Sequence, residues 1–140
     1  MTEEQIMLVK NSWKTFRNVD ADVIGDLFYS KLFIDNPKLQ KMFPSIEQQR
    51  RKLIDMLSHI VSRIDKPETM MDDIKALGIR HETYGVKPEH YKLVGDALLW
   101  TIERGMGKDW NNAVKEAWLA CYSMIATTMI AATKNKQHIH

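Results

Sequence analysis

Apolar residues recur every three or four positions along almost the whole chain, and no alternating run of Val, Ile and Thr is long enough to propose a strand. That period restricts the chain to an all-α fold. Glycine and proline, six and four of 140 residues, fall mostly where the period lapses. The length suits one domain over residues 1–140, with a helical core over about 3–133 and a polar tail over 134–140.

The stripes give six to eight helices. Thr2 and Gln5 form a capping box ahead of Ile6, Val9, Trp13 and Phe16. Asp20 starts a second helix that buries Ile24, Leu27, Phe28 and Leu32 and ends before Pro37. Pro37 opens a short third helix to about Met42, and Phe43, Pro44 and Ser45 make a corner. The helix from about Ile46 carries Leu53, Leu57, Ile60 and Ile64, and ends near Pro67. The next, from about Glu68 to Tyr84, carries Met70, Ile74, Leu77 and His81, and Gly85 ends it in a left-handed cap. Pro88 opens a helix with Tyr91, Val94, Leu98 and Ile102 on one side. Gly105 and Gly107 bracket a loop, and Asp109 caps a last helix that runs to about Thr133. Met70 and Met106 read as surface residues.

Composition excludes several classes. Net charge is +2, which makes no case for nucleic acid. Cys121 is the single cysteine, so no internal disulfide forms, and a reducing, cytoplasmic setting is expected. The longest near-apolar stretch, Met124 to Ala132, is far short of the roughly 20 residues a membrane span needs. Zinc pairs, phosphate loops and nucleophile elbows are missing. Of the five histidines, His59, His81, His90, His138 and His140, only His81 is in phase with an apolar stripe. Its plain alternative is a hydrogen-bonded core histidine.

Five segments stand in order: F-Y-S-K-L-F-x-x-x-P from Phe28, M-F-P from Met42, Q-x-x-x-L from Gln49, R-H-x-x-Y-G-V from Arg80 and H-Y-x-x-V-G from His90. In this order and spacing they resemble a bacterial globin, a single-domain haemoglobin similar to the globin half of flavohaemoglobins. The resemblance covers about residues 5–133 and implies a globin fold around a haem b pocket.

The resemblance implies a role for each matched residue. His81 is the proximal iron ligand, with its other ring nitrogen held by an acceptor such as the Leu77 carbonyl. Phe43 stacks on the porphyrin. Tyr29 points a phenol donor at the ligand side, where one hydrogen bond is worth about 1–2 kcal/mol, roughly tenfold in ligand release. Gln49 is its distal partner, or Gln48 if the register slips by one. Lys52 and Arg80 face the haem propionates. Met42, Leu53, Met56, Leu57, Leu77, Val86, Val94, Leu98 and Ile125 line the walls, and Tyr91 stands near His81. The plain alternatives are core packing for the apolar residues, an exposed helix face for Gln49, and a solvated basic run for Arg50, Arg51 and Lys52.

Two departures from the family matter. The proximal network of histidine, tyrosine and glutamate keeps its tyrosine in Tyr91, but Thr133 stands where the glutamate belongs. Nothing in the chain resembles a flavin or nicotinamide site. The expected function is reversible O₂ binding at ferrous haem with slow release, CO and NO being further ligands. Conversion of NO to nitrate then needs an external reductase. The alternative is a haem-based gas sensor acting through a separate partner. A monomer or weak homodimer is expected, with no nucleic acid or membrane partner.

Overall fold

Thr2 and Gln5 start the first helix as the sequence predicts: the Thr2 amide donates to Gln5 Oε1 at 3.0 Å, and the Gln5 amide to Thr2 Oγ1 at 3.1 Å. The computed structural model describes residues 1–16, 18–43 and 45–139. Its α-helices are α1 (Glu3–Phe16), α2 (Ala21–Asp35), α3 (Ile46–Ser62), α4 (Met71–Thr83), α5 (Pro88–Met106) and α6 (Asn112–Ile139). Short 3₁₀ turns cover Pro37–Met42, Pro67–Thr69 and Gly107–Asp109, and no strand occurs among the described residues. Asp20 Oδ1 accepts the Asp22 amide at 2.8 Å, capping α2. Pro37 and Pro88 sit in the first turns of their helices, where a missing N–H costs nothing. Gly85, at φ +89°, follows α4 in a conformation that side chains resist.

Four local expectations are corrected. Gly105 lies inside α5, and Gly107 alone, at φ +58°, ends it. The last helix is capped by Asn111, whose Oδ1 accepts the Val114 amide at 3.0 Å, and not by Asp109, which is spent in a 3₁₀ turn. It runs to Ile139 and not to Thr133, because no Gly or Pro beyond Gly107 stops it; His140 and Pro44 lie outside the described residues. Met70 and Met106 are buried, at 0% and 8% exposure, since a flexible thioether fills the irregular space where helices join.

Several of the most deeply buried side chains lie where α1 meets α6. Val9, Trp13, Phe16 and Trp118 are each at most 3% exposed. Trp118 Nε1 donates to Ser12 Oγ at 2.8 Å, and Ser12 passes its own proton to the Leu8 carbonyl at 2.7 Å. This closes a polar pair inside an apolar core. Helix α4 rests on α6, and α2 on both α3 and α5. No described helix is long and apolar enough to cross a membrane.

Candidate functional site

The arrangement of α3, α4 and α5 follows from what they do not do. Each packs outward, on α2 or α6, and among the described residues no two of the three share a packed backbone face. Their inner apolar residues stay half-buried: Leu53 and Met56 on α3, Leu77 on α4, and Tyr91 and Val94 on α5. Met42, Phe43 and Val86, at the joints, are half-buried too. We take the space they border as the candidate crevice; all but Val86 pack against the buried core.

His81, on α4, is half-buried. Its Nδ1 lies 2.8 Å from the Leu77 carbonyl one turn earlier, the partner its spacing predicts. That acceptor fixes the proton on Nδ1 and leaves Nε2 with a lone pair. Burial pulls its pKa below the ordinary 6.5, the Leu77 hydrogen bond opposes this, and the Arg80 charge adds to the lowering. The imidazole is therefore neutral near pH 7, which is the form that ligates a metal.

Tyr29, on α2, is only 5% exposed. Burial pushes its phenol up to about 12, so it remains a protonated donor. The hydroxyl donates to the Gln49 backbone carbonyl at 3.5 Å, not to the Gln49 side chain. Gln49 is half-buried and Gln48 exposed. The Tyr29 ring meets Phe43 edge-on at 5.4 Å and Phe33 at 5.8 Å.

Leu57 and Ile125 are buried and line a small apolar cavity between α3, α5 and α6, with Leu98, Trp118, Cys121 and Tyr122. Lys52 and Arg80 are exposed, and neither joins an ion pair among the described residues. Arg50 is not the solvated cation its place in the basic run suggests: its side chain keeps 19% exposure and Nη1 pairs with Asp26 at 2.8 Å.

Three contributors escaped the sequence reading. Phe33 follows Tyr29 by one helical turn, a spacing that signals contact. Tyr122 donates to the Tyr91 carbonyl at 2.6 Å and so ties α6 to the start of α5. Glu82 is the acidic neighbour of Tyr91: burial first, then the Glu82 charge, raises that phenol's pKa. Thr133 instead turns its hydroxyl onto the Ile130 carbonyl at 2.7 Å.

A model of the globin family matches residues 26–129. The chain belongs to the globin family. This globin is similar to a bacterial globin of Campylobacter jejuni, whose solved structure aligns at a TM-score of 0.83 with 28% identity, covering 98% of this chain and 99% of that one. It is 30% identical over 119 residues to a flavohemoprotein of Bacillus subtilis, covering 82% of this chain but only 30% of the relative's length. It is also 30% identical over 151 residues to an anaerobic nitrite reductase of Gossypium hirsutum, covering 96% of this globin and 94% of that protein. Likeness to globins and a flavohemoprotein implies that this globin binds haem.

Proposed function

We propose that this globin holds haem b in the crevice through His81 and binds O₂ reversibly, converting NO to nitrate with electrons from a separate cytoplasmic reductase. When bound, the haem iron supplies the site for O₂ and for the reaction with NO. One observation carries this reading: the chain combines a neutral, oriented imidazole at His81 with a buried phenol donor at Tyr29.

The donor set fits the group. The lone pair of His81 Nε2 is directed by the Leu77 carbonyl, which also makes the imidazole more basic. Phe43 offers a ring from the joint between α2 and α3, where a porphyrin would stack. Met42, Leu53, Met56, Leu77, Val86 and Val94 exclude water from both faces. Leu57, Leu98 and Ile125 back the wall from the core. Tyr29 gives its proton to a ligand in the crevice, Gln49 sits beside it, and Tyr91 supports the His81 side. Lys52 and Arg80 are free to meet the propionates at the rim.

The test is absorption spectroscopy of the purified protein in ferric, ferrous, O₂ and CO forms, followed by NO addition to the O₂ form. The reading expects a haem Soret band in each form and about one nitrate per haem. A protein without a Soret band after haem addition overturns it. A haem spectrum without stoichiometric nitrate leaves gas binding and removes the NO reaction.

A further inference from the structure

The basic run on α3 is divided by the structure. Arg51 and Lys52 are exposed, whereas Arg50 lies along α2. Gly25 makes room for it: a Cβ there would overlap Cβ, Cγ and Cδ of Arg50. The next residue of α2 supplies the counter-charge, Arg50 Nη1 donating to Asp26 Oδ1 at 2.8 Å. Arg50 Nε is buried with no hydrogen-bond partner. A buried unpaired N–H is unfavourable, so the aliphatic stem on Gly25 and the ion pair are what keep the side chain between the helices.

The same helix crossing carries the distal donor. Tyr29 follows Gly25 by one turn on α2, and Gln49 precedes Arg50 on α3. A phenol has one proton. The Tyr29 proton is directed at the Gln49 carbonyl at 3.5 Å, long beside the usual range of up to about 3.0 Å for such bonds. The bond is therefore weak, and the carbonyl competes for that proton without monopolising it.

The geometry points to Arg50 as a positioning residue that tunes ligand retention. By clamping α3 onto Gly25 and Asp26, it holds the Gln49 carbonyl where it competes with a gaseous ligand for the Tyr29 proton. The inference rests on the reading of Tyr29 as the ligand's donor. It concerns a residue whose recorded contacts are with Gly25 and Asp26 of α2.

The test measures O₂ release and amide hydrogen exchange along α3 in the haem-loaded protein. The variants are Arg50→Ala, Arg50→Met and Asp26→Asn, each with and without Tyr29→Phe. Arg50→Ala is expected to slow release about threefold or more, as the competing acceptor withdraws, and to speed exchange across residues 49–53 by about tenfold. Arg50→Met keeps the stem and Asp26→Asn keeps the guanidinium, so both move the same way by less; they decide the matter if Arg50→Ala does not fold. In the Tyr29→Phe background, exchange still responds to Arg50 and release does not. Unchanged or faster release in the Arg50 variants, or an equal change without the Tyr29 hydroxyl, overturns the proposal. If Tyr29→Phe alone leaves release unchanged, the donor reading itself fails, and this inference with it. If Tyr29→Phe speeds release while Arg50 has no effect, only the clamp fails.

Discussion

Around Trp118, where α1 meets α6, Val9, Trp13 and Phe16 keep at most 3% of their surface, whereas Leu53, Met56, Leu77 and Val94 on α3, α4 and α5 are only half-buried. Both sets are equally apolar in sequence. The first set packs within the chain, and the Ser12 hydroxyl satisfies the Trp118 indole, although the buried Trp13 Nε1 has no hydrogen-bond partner. The second set packs only at the margin of that core, and the backbones of α3, α4 and α5 do not approach one another. Close packing is the rule in protein interiors, so these half-buried apolar residues are the place to look for a ligand. The fold is secured in one region and the chemistry placed in the other.

Substitutions should therefore separate by region. The largest effect is expected from Trp118→Ala, which removes a buried indole and leaves Ser12 facing a cavity. It should lower stability by about 3–5 kcal/mol in urea unfolding, while the folded fraction keeps its haem spectrum. A matching loss of haem affinity would mean that the two regions are not separate.

Alkaline pH gives the next largest effect. The Tyr29 phenol titrates at about 12 in the folded chain against an ordinary 10.0. Between these values the unfolded chain has lost a proton that the folded chain still holds. The contribution of Tyr29 to stability is thus fully present below about pH 10 and is lost as pH rises toward 12, about 3 kcal/mol at most, on top of the losses from Cys121, Tyr91 and Tyr122, which burial also raises. Tyr29→Phe should flatten that part of the thermal-melt profile. An identical fall in the variant would place the titrating group elsewhere, Cys121 being the other group that burial pushes up to about 12.

Near neutral pH, Tyr29→Phe should act on the ligand and hardly on the fold. O₂ release is expected to quicken several-fold to about tenfold by stopped-flow, with the melting temperature nearly unchanged. The smallest effects belong to the rim. Lys52→Ala and Arg80→Ala should each weaken haem retention about two- to threefold, read as faster haem transfer to an acceptor protein, and leave stability within about 0.5 kcal/mol.

What the sequence made legible was local. The helices follow from apolar period and caps, and the His81–Leu77 contact follows from a spacing of one turn. Tyr29 was legible because it lies beside the stripe of Leu27, Phe28 and Leu32. What stayed hidden depends on partners distant in the chain. Arg50 reads as a solvated charge until Gly25 and Asp26 are seen across the crossing. Met70 and Met106 read as surface residues until the joints they fill are formed. Glu82 and Tyr122 reach Tyr91 from two different helices, and no spacing announces that. Asn111 outcompeted Asp109 as a cap because the preceding 3₁₀ turn moved the start of α6, a shift of a few residues that propensity does not resolve.

The central claim is that the half-buried apolar side of the interior is completed by haem held on His81. Its most direct test is a haem titration of the protein and of His81→Gly, with and without added imidazole, followed by the Soret band of the ferrous form and by circular dichroism. The account predicts one haem per chain for the native sequence. It predicts a lost or displaced Soret band in His81→Gly at unchanged helix content, and recovery when imidazole is supplied. A His81→Gly protein with the native ferrous spectrum and no response to imidazole would contradict it.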